Sequence, residues 1–292
     1  MKQNYILGTI QGYDVDKISL FVKSARFFNQ KAKIVLFAES FPQETIEFAK
    51  KMQVDLQFAF FGMSRLDLLL RRKNWIFPII WRAFPLDSLR TVLIARTTNI
   101  MIRRFAHYKQ YLLLNYKSCE NVLISDIRDV IFQNDFFSLQ HSNGLHAFLE
   151  DESVIIGAPN DSNIKWLNDV NRLYAKSLAG NVSSCAGVIY GDKKNITCYL
   201  NKMLYLAGSN NAHRYGGDQA IHNFIVQKNL IKNINIHSNK SGPVFTMNDV
   251  KPDSIQKNQH GEVVNQNNQI YSLLHHYDRF PQILDFFQKK HT

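Results

Sequence analysis

Cysteine is scarce in this chain: Cys119, Cys185 and Cys198 are an odd number among 292 residues and show no CxxC spacing. That excludes a disulfide framework and leaves no zinc-site pattern. Nor is there a run near the roughly 18 consecutive apolar residues that a membrane span needs. The opening residues, MKQNYILGTIQGYD, lack a signal-peptide core and a small-residue cleavage site, so they are expected to begin the first strand of a cytoplasmic protein. No repeat and no linker interrupts the sequence. Acidic residues are outnumbered, 24 against 35 Lys and Arg, which gives a formal charge of +11.

What is present suits a large soluble fold. Hydrophobic residues make up 45% and charged residues 20%, ordinary for a globular protein long enough to bury a substantial core. The excess charge gathers between Arg65 and Arg104, where Arg71, Arg72, Lys73, Arg82, Arg90, Arg96 and Arg103 also lie and only Asp67 and Asp87 oppose them. Trp75, Phe77, Trp81 and Phe84 are interleaved. Such a stretch is either a solvated helical face or a surface for anionic lipid headgroups. No nucleic-acid module accompanies it, so no nucleic-acid partner is expected.

Periodicity predicts strand, helix, strand, helix, strand over Tyr5–Ile10, Asp14–Asn29, Lys33–Ala38, Pro42 to about Met52, and Val54–Phe60. This order implies right-handed crossovers and a parallel sheet. Residues 63–118 read as mostly helical. Strands are expected at Val122, His146–Leu149 and Ala186–Tyr190, and helices over Asn163–Leu178, Ile196–Leu206 and Asp218–Gln227. Beyond Asn229 the sequence turns polar and predicts loops, short strands and a C-terminal segment that packs back.

The most informative stretch is Asn121–Phe137, NVLISDIRDVIFQNDFF. The apolar run Val122-Leu123-Ile124 stops at Asp126, Arg128 and Asp129, and Val130-Ile131-Phe132 follows at once. Runs of this kind read as buried strands of a parallel sheet, whose ligands lie at the strands' carboxyl ends. Carboxylates there can hold a hard divalent metal against a phosphate, and an arginine can clamp that phosphate. Alternatively, Arg128 simply pairs with one aspartate. Three further clusters have both a chemical and a plain reading. Gly187 in CAGVIYGD allows either close approach of a ligand or strand packing. Gly216-Gly217-Asp218-Gln219 opens a helix, where Asp218 serves a ligand, a cap, or both. His275-His276-Tyr277-Asp278-Arg279 offers imidazoles either to a metal or to the surface.

Taken in order, SDIRDVIFQ, CAGVIYGD, GGDQAIHN and HHYDR resemble nucleotide-sugar glycosyltransferases of the GT-A fold, notably members with a DxRDxxFQ-type signature and glycogenin- and galactosyltransferase-like enzymes. The likeness runs from Gly8-Thr9 to Arg279. It implies an α/β, Rossmann-like, mixed but mainly parallel central sheet flanked by helices in a single domain. About 1–135 would bind the nucleotide sugar, and about 136–292 would form the acceptor half with a C-terminal metal-ligand segment. It also implies Mn²⁺ or Mg²⁺ as cofactor and a UDP- or GDP-sugar donor.

Carried over residue by residue, the metal ligands are Asp126, Asp129 and His275. Here the acids stand at 126 and 129 with Arg128 between them, where the family's DxD has one intervening residue. Donor-binding candidates are Thr9, Arg104, Asp126, Arg128, Gly187, Gly217 and Gln219. Asp218 lies where the family places a carboxylate beside the transferred sugar, and Glu150 and Asp151 are further catalytic candidates. Either Asp218 or the Glu150/Asp151 pair would be the general base of an inverting enzyme; in a retaining one, which the DQ…N pattern favours, Asp218 would position the sugar or stabilise an oxocarbenium-like transition state. The partners implied are a nucleotide sugar and a glycan or lipid-linked acceptor, with peripheral contact to an anionic inner membrane face. A sugar nucleotidyltransferase is the nearest alternative, although the first turn, Gly8 to Gly12, has no basic residue before Lys17. A non-catalytic nucleotide- or carbohydrate-binding protein of the same fold is another.

Overall fold

The structure is a computed structural model that describes residues 2–60, 87–138, 143–159, 161–210, 212 and 214–291. Its first half alternates as the periodicity predicts: β1 (Gln3–Thr9), α1 (Val15–Phe28), β2 (Lys33–Ala38), α2 (Gln43–Lys51) and β3 (Asp55–Phe58). Helices α3 (Asp87–Thr97) and α4 (Ile100–Leu114) then lead to β4 (Cys119–Ser125) and β5 (Val130–Phe132). The second half adds β6 (Leu145–Leu149), α5 (Ser162–Val170), α6 (Arg172–Leu178), β7 (Ser184–Asp192), α7 (Lys193–Ser209) and α8 (Gly217–Gln227). After these come the short strands β8 (Ile234–His237), β9 (Val244–Thr246) and β10 (Leu273–His275), and α9 (Pro281–Lys290), which packs back through Ile283 and Phe287.

Seven strands form the central sheet in the order β3-β2-β1-β4-β7-β6-β8. The β3-β2-β1-β4 half is parallel, as is β6 with β8, whereas β7 runs antiparallel to both neighbours. Alternation of side chains across the sheet divides the core in two. Tyr5, Leu7, Val35, Phe37, Val122 and Ile124 face α4, α7 and α8, while Ile6, Ile34, Leu36 and Leu123 face α1. Because helices cover both faces, these strands are continuous apolar runs.

Three sequence expectations are corrected. The run Val130–Phe132 is not part of the central sheet; β5 joins a second, three-stranded sheet in the order β5-β10-β9, antiparallel to β10. The CAGVIYGD strand runs antiparallel to both neighbours, which makes the sheet mixed but mainly parallel, as the resemblance implies. The helix expected over Asn163–Leu178 is two helices, because the Asn171 side chain accepts from Leu173 N and caps the second one. The basic stretch is only partly a surface: Arg103 and Arg104 are buried, and Arg103 donates to the carbonyls of Arg96 and Thr98 at the end of α3. Arg65, Arg71, Arg72, Lys73, Trp75, Phe77, Trp81, Arg82 and Phe84 lie outside the described residues.

Candidate active site

β4 delivers its apolar run to the core and stops at Ser125, and the turn that follows carries Asp126 and Asp129. Asp126 N donates to Gly187 O at 2.7 Å, which ties this turn to β7. The second sheet supplies the histidines. Register pairs His275 of β10 with Val130 of β5, and His276 N donates to Asp129 O at 2.7 Å, so residues nearly 150 positions apart meet. His275 Nε2 stands 3.8 Å from Asp126 Oδ2 and 3.8 Å from Asp129 Oδ1, and His276 Nε2 stands 3.8 Å from Asp129 Oδ2. The two imidazoles stack with centroids 3.8 Å apart. Donor atoms of Asp129, His275 and His276 lie within 4.8 Å of one another.

The electrostatics follow from burial. Loss of solvent pulls His275 down to about 4 and His276 to about 3, so both rings are neutral at pH 7. Burial and the neighbouring Asp126 charge raise Asp129 above the usual carboxylate range. Burial opposes ionisation of Asp126 too, but the Arg104 guanidinium outweighs it and holds that carboxyl low.

This donor set fits a divalent ion. His275 Nε2 is buried without a hydrogen-bond partner, and its nearest carboxylate oxygens lie beyond hydrogen-bond reach. Mixed imidazole and carboxylate donors suit a borderline ion such as Mn²⁺ better than Mg²⁺, which prefers oxygens. Asp129, His275 and His276 would hold it, with Asp126 Oδ2 alongside. Gly187 makes room: a Cβ there would come 2.4 Å from His275 Cε1 and 2.8 Å from Asp126 Oδ2. The close approach foreseen at Gly187 is therefore to the site's own side chains.

Arg104 of α4 links this cluster to α8. Its guanidinium donates to Asp126 Oδ1 at 2.5 Å and to Asp218 Oδ2 at 3.0 Å, so one buried cation serves two carboxylates. Burial raises the Asp218 carboxyl against the pull of Arg104. All these groups except Asp129 line a cavity of about 540 Å³ that continues past Glu150, Asp161, Asn163, Trp166, Tyr215, Asn248 and Arg279. Trp166 and Tyr215 meet edge to face, with centroids 5.7 Å apart.

Of the remaining sequence candidates, Gln219 and Glu150 also line the cavity, and the others do not. Thr9 Oγ1 shares a 2.8 Å hydrogen bond with Tyr108 OH and does not line the cavity. Arg128 is half-exposed and sits 3.5 Å from Asp129 and 3.8 Å from Asp278, also outside the lining. Asp151 caps a turn by accepting from Ser153 N and Oγ. Gly217 packs on the Ala212 carbonyl, which a Cβ would approach to 2.7 Å. Gln219 straps three elements together: Oε1 accepts from Ala186 N at 2.8 Å, and Nε2 donates to Ser184 O at 2.9 Å and Glu150 Oε1 at 3.3 Å. Glu150 does line the cavity, and burial lifts its carboxyl to about 7. Sequence reasoning did not single out Trp166, Tyr215 or Asn248. Nothing in their local pattern marks them, whereas His276 and Cys185 stood in motifs already noted.

No protein-family model and no curated protein matches the chain. Solved structures do. An active-site mutant of LgtC is 12% identical over 98% of this chain and 95% of its own, with a TM-score of 0.50. The fold is GT-A. The galactosyltransferase LgtC in complex with donor and acceptor sugar analogs aligns over the same shares at 12% identity and a TM-score of 0.49. The apo form of the glycosyltransferase GlyE of Streptococcus pneumoniae TIGR4 is 14% identical over 94% of this chain but only 55% of its own, with a TM-score of 0.48. At these identities the likeness is one of fold. In a GT-A frame the Asp126 turn follows β4, the strand beside β1, where an open α/β sheet offers its crevice.

Proposed function

We propose that the protein is a metal-dependent glycosyltransferase that moves a sugar from a UDP- or GDP-linked donor to a glycan or glycolipid acceptor. One observation carries this reading: the unpartnered, buried His275 Nε2 faces two carboxylates at the wall of a polar cavity that Arg104 and Asp218 also line. About 1–135 would serve the nucleotide and about 136–292 the acceptor. A bound Mn²⁺ supplies charge neutralisation of the donor diphosphate and of the leaving group.

The chain's own residues do the rest. Arg104 fixes Asp126 toward the ion and Asp218 toward the sugar. With one oxygen committed to Arg104, Asp218 is better suited to stabilise an oxocarbenium-like transition state than to abstract a proton, which favours retention. Glu150 accepts a hydrogen bond from the acceptor hydroxyl, and Trp166 and Tyr215 give the acceptor sugar an apolar wall. Basic residues of the stretch from Arg65 to Arg96 would rest the enzyme on an anionic membrane carrying a lipid-linked acceptor.

The test is a thermal-shift series with UDP-, GDP-, CMP- and dTDP-sugars, with and without Mn²⁺, on wild type and Asp129→Ala. A ligand at 100 times its dissociation constant adds about 2.7 kcal/mol to stability, a rise of several degrees. One nucleotide class should stabilise wild type only when Mn²⁺ is present, and Asp129→Ala not at all. If no donor shifts the melting temperature, the reading passes to a binding protein that keeps the fold.

A further inference from the structure

Cys185 is buried, lines the cavity and belongs to none of the roles above. Its Sγ lies 3.2 Å from His275 Nδ1, the nitrogen on the far side of the ring from Asp126 and Asp129. Gly187 N–H donates to the same sulfur at 3.4 Å, which holds it in place along β7.

A neutral imidazole carries one proton, and the two possible positions differ in their consequences. With the proton on Nε2, Cys185 S–H points at Nδ1, and a buried N–H is left 3.8 Å from either carboxylate, beyond hydrogen-bond reach. With the proton on Nδ1, that N–H meets the sulfur, and the Nε2 lone pair faces the gap between the two aspartates. Only the second arrangement leaves no buried ring donor unmatched, and only it presents a metal ligand. Histidines that bind metals usually give their other N–H to a carboxylate, a carbonyl or a water. Here the partner is a thiol.

We infer that Cys185 is the positioning residue of the metal site: its sulfur accepts the His275 Nδ1 proton and so turns the Nε2 lone pair toward Asp126 and Asp129. This rests on the metal-site reading above but concerns a residue that reading does not use. The thiol sets the tautomer and the ring orientation, and the aspartates supply the charge. It also makes a cavity-lining cysteine a second route to disabling the site, because a substituted sulfur could no longer support the ring.

Two measurements test it. The first is Mn²⁺ titration, with free ion followed by electron paramagnetic resonance, on wild type, Cys185→Ala and Cys185→Ser. Loss of an outer-shell partner typically weakens metal binding 10- to 100-fold, so the alanine variant should fall in that range. The serine hydroxyl can accept the same proton and should recover most of the affinity. Equal affinity in the alanine variant and wild type, or a serine variant as weak as alanine, overturns the assignment. The second is nitrogen-15 NMR of histidine-labelled, metal-free protein, with His275 assigned by a His275→Ala control. Wild type should show His275 protonated at Nδ1, with the tautomers mixed in Cys185→Ala; an Nε2-protonated wild type overturns the proposal. If wild type takes up no Mn²⁺ at all, the metal reading fails, while the NMR result still decides the role of Cys185.

Discussion

Glu150 shows what burial does to one carboxyl. It sits at the turn after β6, with Ser183 and Gln219 as hydrogen-bond partners and Asp249, Asp161 and Arg279 as the charged groups around it. Burial dominates, and the carboxyl keeps its proton from its ordinary 4.5 up to about 7. Across that window the folded chain holds a proton that the unfolded chain has released. The stability contribution is therefore complete below about pH 4.5 and lost as pH rises to about 7. Glu150→Gln removes the titration while keeping the shape. Its unfolding free energy in urea should gain on wild type between pH 5 and pH 8 by on the order of 2–3 kcal/mol. Parallel pH profiles for the two proteins would show that Glu150 ionises freely in the fold.

At the scale of elements, the site is assembled by contacts between pieces far apart in sequence. α4 contributes Arg104, the turn after β4 contributes Asp126, and the first turn of α8 contributes Asp218. Removing the shared cation strands two carboxylates in a poorly solvated place, a change that typically costs about 3–5 kcal/mol. Arg104→Met should lower the urea midpoint by about that free energy. Arg104→Lys should restore only part of it, because one ammonium lacks the fork that reaches both acids. Near-wild-type stability in Arg104→Met would mean that both carboxyls simply take up protons, and the bridge would then have little structural weight. β10 works in the same way: three residues long, it aligns His275 by pairing with β5 on one side and β9 on the other.

The whole molecule carries a formal charge of +11, yet Arg103 and Arg104 are spent on internal hydrogen bonds. The stretch from Arg65 to Arg96, much of it outside the described residues, is the one proposed above to meet an anionic surface. Vesicles containing phosphatidylserine should therefore co-sediment with the protein at about 50 mM salt and release it near ~0.5 M, where screening shortens the reach of each charge to a few ångströms. Neutral phosphatidylcholine vesicles should leave it in the supernatant. Binding that does not respond to salt would point to apolar insertion instead. Among the described residues no helix is long and apolar enough to cross a membrane.

Much of this was readable in one dimension. The alternation of apolar runs and amphipathic helices over residues 3–58 determined the parallel half of the sheet, because strands covered on both faces must be apolar throughout and crossover helices must bury one stripe. Asp126 and Asp129 stood out because acids at the end of a buried run need a reason to be there, whereas Asp218 and His275 became candidates through the resemblance to GT-A glycosyltransferases, since a helix cap and surface histidines account for them locally. What sequence could not determine is pairing. The antiparallel course of β7, the transfer of Val130–Phe132 to a second sheet and the bridge from Arg104 to both aspartates depend on which segments meet, and strand registers and buried charge contacts join residues more than 20 and up to about 150 positions apart. Cys185 is the plainest case: along the chain it is an ordinary apolar residue of a strand, and only the fold sets it behind a histidine 90 residues away.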